Sequence, residues 1–398
     1  MVVDDILKVL YAPHKAFKKI VKDPKYLGPI ILLVIFVVAQ LGSSYVVASR
    51  SFVEETLPFA GEGDVWTQNA ALWQTSTGVT ASNNADDIMN STYYGDVSID
   101  FSASNVSGVW IELTDFNGSV NCGVDGFKNV SLRVKLVTPE YKPASVMLYL
   151  YSLGGSTFSY DLTSSFLNSA VNVWNNLTVP VGSQSGWASS SSVAVWENIT
   201  GIKMEFAWSS SQSVNLRVDG LFFRGIFTSP LELYGISYIA SSALNAITPF
   251  LFQWLLLTGL MYVMIKGLKG NVVWKPLMIA VGFALVTMVI QALLVGVVYT
   301  TLPEIYYPLE VLAGVVGEFQ GAYQIILDSI ATVTQIGGYI QVAIYVWLVG
   351  LGAIIARDIT AQPVEGAPVA QPFGWMKSIL TSAASFLLTL LILGFILG

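Results

Sequence analysis

The side chains able to do chemistry in this chain are few, and most crowd into one stretch. Seven of the eleven tryptophans, Trp66, Trp73, Trp110, Trp174, Trp187, Trp196 and Trp208, lie between positions 50 and 228. A pyranose ring presents apolar C–H patches that stack on flat aromatic faces, while nearby Asn, Asp or Arg hold its hydroxyls. Trp187, in GSQSGWASSSS, and Trp196 lie in or near a polar loop, and Trp73 sits in ALWQT. These three are the candidate sugar contacts. Trp110 and Trp208 fall inside alternating runs and read as core or sheet-face residues. The competing reading of the whole set is aromatic filling of a core. Glu112, Asp115, Glu197 and Glu205 are acids of the kind a glycosidase pairs across a fixed gap, but any acidic surface supplies as many. No catalytic residue is assigned, and the chain reads as a non-enzyme. A single cysteine, Cys122, excludes an internal disulfide and a CxxC site. A single histidine, His14, excludes His-based metal clusters and argues against a Ser-His-Asp triad. No GxxxxGK[ST] phosphate loop occurs, and nothing supports nucleic-acid binding.

The elements that must position these residues fall into two kinds. Of the 398 residues, 54% are apolar and 11% charged, with a mean hydropathy of +0.62. Soluble domains carry roughly 25% charged residues, so part of the chain is expected to face lipid. Long apolar runs at 28–48 and about 238–265, 277–300, 334–356 and 377–398 predict five transmembrane helices. Residues 1–27 carry Lys8, Lys15, Lys18, Lys19 and Lys22 beside Ile6, Leu7, Leu10, Phe17, Ile20 and Val21 at helical spacing. That pattern predicts an amphipathic helix, from Pro13 to about Lys22, on the cytoplasmic membrane surface. Between 56 and 228 the period changes to two. Val109, Ile111 and Leu113 alternate around Trp110 and Glu112; Val130, Leu132, Val134 and Leu136 alternate with Ser131, Arg133 and Lys135; Met204, Phe206 and Trp208 alternate with Lys203 and Glu205. Roughly eight such runs, including 146–152, 158–162, 177–181 and 214–224, predict an all-β sandwich of jelly-roll type.

Charge orients the arrangement. With the N-terminus inside, all eleven Lys and Arg residues outside positions 50–228 fall on the cytoplasmic side. The loop 304–328 falls outside and holds Glu304, Glu310, Glu318 and Asp328 without a basic residue. It is expected to form an interfacial helix over the bundle, with its acids facing water. The sequons at Asn90, Asn105, Asn117, Asn129, Asn176 and Asn198 all lie in the β-rich segment, which agrees with an extracellular domain. The segment 362–373, QPVEGAPVAQPF, reads as a Pro-rich loop.

The membrane part resembles the Yip family of five-span proteins, whose members include Rab-GTPase-interacting factors. The resemblance rests on LYAPHKAFKKIVKDPKYLGP (10–29), WLLLTGLMYVMIKGLKGNVVWKPLMIAVGFALV (254–286) and GLGAIIARDI (350–359), with Asp23, Tyr26, Gly28 and Pro29 loosely echoing a family Asp-Tyr-Gly-Pro motif. The family's loop between the first two spans is short; here it holds some 180 residues. With its outward sequons and acidic exterior the chain looks like an archaeal surface glycoprotein. The inserted segment resembles carbohydrate-binding modules and galactose-binding-like jelly rolls, through CGVDGFKNVSLRVKL (122–136), VNVWNNLTVPVGS (171–183) and NLRVDGLFFRG (215–225). That resemblance implies a closing strand at Val218, Asp219, Gly220, Leu221 and Phe222, and allows a structural Ca²⁺ at Asp219 with Asp64 approaching it. The plain alternative is that Asp219 makes a turn or pairs with Arg217.

In the spans, Gln40, Asn245, Gln253, Gln291, Gln335 and Gln341 are expected to bond across helices and hold a bundle together. The cytoplasmic lysines either fix topology or hold anionic headgroups at about 1 kcal/mol each. Three functions follow in order of support. The first is a non-enzymatic cell-envelope protein whose β-sandwich binds a glycan or a surface-layer protein. The second is a bundle that organises or moves lipid or solute under a β cap. The third is a trafficking adaptor for a cytoplasmic GTPase.

Overall fold

A computed structural model describes residues 2–363 and 372–397, so most of the Pro-rich loop, 364–371, lies outside the described residues. The chain forms two compact units. The helical unit comprises Met1–Ser51, Ser229–Ile305 and Asp328–Gly398; the β-rich unit comprises Phe52–Thr228 and Tyr306–Leu327.

Among the described residues, five helices are long and apolar enough to cross a bilayer. They are Leu27–Arg50, Ile236–Gly267, Trp274–Tyr299, Phe319–Thr360 and Trp375–Leu397. The third is broken at Leu285 into Trp274–Ala284 and Val286–Tyr299. The fourth, at 42 residues, starts well before the predicted 334, because Phe319–Ser329 continues the helix with polar residues that hydropathy does not count. The helices approach closely where glycine leaves room. A Cβ on Gly28 would lie 2.0 Å from the Phe283 ring, and one on Gly282 would lie 2.6 Å from Pro29. Residues 2–22 form two helices, Val2–Tyr11 and Pro13–Lys22, rather than one. Their apolar face does not lie free: Val9, Ala16, Phe17 and Ile20 are buried in the same core as Phe250, Met261 and Leu277.

Among the described residues the sheet has eleven strands: β1 (Ser51–Leu57), β2 (Gln74–Thr75), β3 (Val79–Asn84), β4 (Ser98–Leu113), β5 (Asn129–Thr138), β6 (Ser145–Tyr151), β7 (Thr157–Asp161), β8 (Asn175–Pro180), β9 (Ala188–Ser189), β10 (Gly201–Thr228) and β11 (Ile305–Tyr307), which lies beside β1. The first ten pair antiparallel. The runs predicted at 204–208 and 214–224 are one strand. β10 lies between β4 and β6 over Gly201–Ala207, then between β4 and β5 over Asn215–Val218. Register shifts between Ala207 and Val214 mark an irregularity of the kind that bends a strand. The result is sandwich-like. One half runs β3, β4, β10, β5, β8, and the other runs β2, β4, β10, β6, β7, β9. Their inner faces meet in one core that includes Ile99, Phe101, Ile111, Leu132, Leu148, Phe206 and Leu216.

The segment Tyr306–Leu327 is a strap on the sandwich rather than an interfacial helix over the bundle. Leu309, Ala313 and Val315 are fully buried against Met89, Tyr94 and Phe222. The Thr92 amide donates to the Ala313 carbonyl at 2.8 Å, and the Val316 amide to the Asn90 carbonyl at 3.1 Å. Of the four acids in the loop 304–328, Glu304 and Asp328 are exposed as expected, whereas Glu310 and Glu318 turn to buried arginines. Glu318 takes a two-pronged bond from Arg133, with Nε and Nη2 each at 2.9 Å, and Arg133 is itself wholly buried. Arg224 holds Glu54 through Nε (2.9 Å) and Nη2 (2.6 Å), and reaches Glu310 from Nη2 at 2.8 Å. The Leu309 amide completes the knot by donating to Glu54 Oε2 at 2.7 Å. Burial pushes the Glu310 carboxyl up, but the Arg224 guanidinium outweighs it and holds the group below the usual carboxylate range.

Candidate functional site: an aromatic and carboxylate platform on one sheet face

Of the three tryptophans singled out from sequence, two are buried and one is half-buried. Trp196 is buried, with Phe158 stacked on it at 3.9 Å between ring centroids. Trp73 is buried edge-on to Phe101, and its Nε1 donates to the Trp66 carbonyl at 2.9 Å. Trp187 is half-buried, packs edge-on against Trp196 and donates Nε1 to the Pro180 carbonyl at 2.8 Å. The loops that carry them fold back over the sandwich, and large rings there recover more by covering the core than by facing water. Trp208 is in the core.

Trp110 is different. Alternation on β4 sends Val109, Ile111 and Leu113 inward and leaves Trp110 and Glu112 on the outer face. On β10, Met204 and Phe206 go inward while Lys203 and Glu205 stay out; on β6, Leu148 and Leu150 go inward while Met147, Tyr149 and Tyr151 stay out. Register then aligns the three outward rows. Lys203 stands opposite Glu112 on one side and Tyr149 on the other, and Glu205 stands between Trp110 and Met147.

The side chains on this face hold one another. The Tyr149 hydroxyl donates to Glu205 Oε2 at 3.0 Å, and the Tyr151 hydroxyl donates to Glu112 Oε2. Lys203 Nζ lies 2.5 Å from Glu205 Oε1 and 5.1 Å from the centroid of the Trp110 ring, so the indole face carries a cation. Partial burial, then the bond to Glu205, raises the Tyr149 phenol above its ordinary range, and Tyr151 is raised the same way by burial and Glu112. Both phenols are therefore donors across the ordinary pH range. Beside the row, Gly108, Ser145 and Ala207 leave a cavity of about 320 Å³ walled by Trp110, Met147 and Glu205. Three half-buried rings, two carboxylates and one ammonium share one face. The rings offer stacking surface, and the carboxylates accept bonds from paired hydroxyls.

The acids expected to hold calcium do meet. Asp64 and Asp219 are both buried, and their carboxyl groups accept from the same Gly220 amide. Arg217 pairs instead with Asp87 and Asp100. The donor set does not fit the cation. Calcium needs about six to eight oxygen ligands, whereas these oxygens already accept from N–H and O–H groups. Asp64 takes Gly95 N (2.9 Å), Gln68 Nε2 (2.8 Å), Thr67 Oγ1 (2.6 Å) and Gly220 N (3.1 Å). Asp219 takes Met89 N (2.6 Å) and Gly220 N (2.8 Å). Among the described residues no group of three or more His, Cys, Asp or Glu side chains gathers as a metal site. A shared proton serves this pair better than a metal. Burial and the adjacent Asp64 push the Asp219 carboxyl up to about 9. Gly220 sits beside it at φ +57, and a Cβ there would lie 2.4 Å from the Tyr94 ring.

The sequons separate by environment. Asn90, Asn105 and Asn117 are exposed. Asn129 and Asn198 are half-buried. Asn176 is engaged: its Nδ2 donates to Glu318 at 3.1 Å and its Oδ1 accepts from Arg133 at 2.8 Å. Cys122 is buried and free, and burial pushes its thiol up to about 12, so it is unreactive in the folded state.

No protein-family model and no curated protein sequence matches this chain. Weak structural similarity links it to solved β-sandwich modules. A family 11 carbohydrate-binding module from Clostridium thermocellum, in complex with a β-1,3-1,4-mixed-linked tetrasaccharide, shares 14% identity; the match covers 39% of this chain and 89% of that one, with a TM-score of 0.26. A structure of carbohydrate-binding modules from the β-sandwich superfamily shares 12% identity over 39% of this chain and 57% of that one, with a TM-score of 0.28. A family 61 module bound to β-1,4-galactotriose shares 11% over 42% and 96%, with a TM-score of 0.22. At these scores the likeness carries no argument about a ligand, and any functional reading has to stand on the side chains.

Proposed function

We propose that the β-rich unit is a non-catalytic glycan-binding module displayed by a five-span membrane anchor. The observation that carries this reading is the row Trp110, Tyr149 and Tyr151 set among Glu112, Glu205 and Lys203 on one outward sheet face. Flat rings and hydroxyl-accepting carboxylates side by side match a pyranose chemically. Binding of the full-length protein to an array of envelope polysaccharides tests it. Trp110→Ala is expected to weaken binding tenfold or more, the size of a lost anchor residue, and Glu205→Gln several-fold. An unchanged glycan profile in Trp110→Ala would remove the platform from the reading.

The anchor reading is supported by apolar exposure. Val38, Val263, Val297, Val346 and Leu391, one from each long helix, are more than half exposed, as lipid-facing side chains are. Together with the charge asymmetry, this supports a topology with the N-terminus in the cytoplasm, and residues 50–230 and the C-terminus outside the cell membrane. The Yip-type resemblance agrees with this span order. Protease added to intact cells is expected to cut within the β-rich segment and spare the lysine-bearing loop 266–275; the reverse pattern would invert the topology.

A further inference from the structure

Three glutamines from three different helices, expected to bond across the bundle, do something else. Gln40 on Leu27–Arg50, Gln253 on Ile236–Gly267 and Gln291 on Val286–Tyr299 line one cavity of about 300 Å³ in the helical unit. Among the described residues none of the three amides has a hydrogen-bond partner, and Gln253 is only 7% exposed. By contrast Gln335 and Gln341 on the fourth long helix donate to Tyr339 and Tyr345. An unpaired amide in apolar surroundings costs on the order of 1–3 kcal/mol, so three of them facing one space call for a polar occupant. The cavity is far larger than the ~10–15 Å³ that one water requires. Its remaining wall includes Phe36, Met288 and Leu348 along with Tyr299 and Tyr345, and among the described residues no Asp, Glu, Lys, Arg or His lines it.

We propose that this cavity binds an uncharged, hydroxyl-bearing lipid, its head on Gln40, Gln253 and Gln291 and the start of its chain along Phe36, Met288 and Leu348. The uncharged head follows from the wall. A phosphate or carboxylate there would be desolvated with no cation to meet it, whereas amides both donate to and accept from hydroxyls. The apolar half favours a lipid over a free polyol. The inference rests on the membrane reading of the helices and is independent of the glycan platform.

The test uses the full-length chain in phosphatidylcholine nanodiscs containing a photoactivatable diacylglycerol. Labelling is expected to concentrate on cavity residues and to be competed by unlabelled diacylglycerol, but not by phosphatidic acid or free glycerol. The double variant Gln253→Leu/Gln291→Leu should lose labelling at least tenfold, while Gln335→Leu, outside the cavity, keeps it. Equal competition by phosphatidic acid overturns the neutral-head assignment, and competition by free glycerol overturns the lipid. Labelling spread evenly along the helices means that water alone fills the cavity, and also overturns the proposal. The competition arms need only the wild-type chain, so they decide the matter even where the double variant misfolds. Failure of the chain to enter nanodiscs overturns the membrane reading and the lipid together, which separates that outcome from insertion without competed labelling.

Discussion

Arg224→Leu is expected to lower the stability of the β-rich unit by about 3–5 kcal/mol, the cost of stranding buried partners of an ion pair. Arg224 is only 8% exposed on its side chain, and Glu54 only 3%. Removing the guanidinium leaves Glu54 without its cation and Glu310 with only Arg133, at 3.8 Å. The strap should then loosen, so the Thr92 and Val316 amides, which bond across it, should exchange far faster with deuterium. Arg224→Lys keeps the charge but loses the fork that bonds two carboxylates at once, and an intermediate loss is expected. The triple replacement Glu54→Met/Arg224→Leu/Glu310→Met should recover much of the stability, because apolar residues of similar volume carry no desolvation cost. Denaturation of the full-length protein in detergent, followed by tryptophan fluorescence, measures all three. A wild-type midpoint in Arg224→Leu would mean that the strap is held by its apolar contacts alone.

The second large effect is a dependence on pH. Asp219 in the folded protein stays protonated up to about 9, well above the ordinary 3.8 of an aspartate. The folded state therefore holds a proton that the unfolded chain has lost over this whole window. Its contribution is fully present below about 3.8 and is lost as pH rises through 9, at up to about 1.4 kcal/mol per pH unit. The Glu310 carboxyl is shifted the other way, so its contribution is lost only in acid. Between pH 5 and 8, below the range where the raised Cys122 thiol adds a slope of the same sign, the Asp219 slope should dominate in the β-rich unit. Stability is expected to fall across that range, and the exchange of the Met89 and Gly220 amides to quicken with it. Asp219→Asn, which cannot ionise, should flatten the slope. A flat wild-type profile, or a melting temperature raised by millimolar Ca²⁺ and restored by chelator, would show a cation where we place a proton.

Much of the architecture was legible. Alternation along 109–113, 130–136 and 204–208 marked strands with one buried face, and those faces are the ones in the core. The resemblance at VDGLF brought Asp219 toward Asp64, and the two do meet. The platform was visible only in halves. Trp110, Glu112, Lys203 and Glu205 stood on the polar side of two runs, but their alignment depends on register, which no single run contains. Tyr149 and Tyr151 alternate with Leu148 and Leu150 in the same way, but a run of Val, Met, Leu and Tyr has no polar side along the chain to mark its outer face. Trp196 is the opposite case: its neighbouring polar loop placed it near the surface, and it is buried. A polar loop sequence says that the backbone is near the surface, not which way a large ring turns. The Arg133–Glu318 bond joins residues 185 apart, each of which read locally as a solvent-facing charge.

The amino-acid sequence by itself determined the properties that are one-dimensional: five apolar segments, one segment of period two, and a sorted distribution of charge. Each is set by neighbours within a few residues, through the helical or extended repeat and the length an apolar run can span. The tertiary structure decided which aromatic rings are covered and which stay half-open, which acids meet arginine and which share a proton. It also decided that three glutamines face one cavity instead of one another. Those outcomes depend on pairing across dozens to hundreds of residues, where the cost of an uncovered ring or an unpartnered charge selects among arrangements that look alike along the chain.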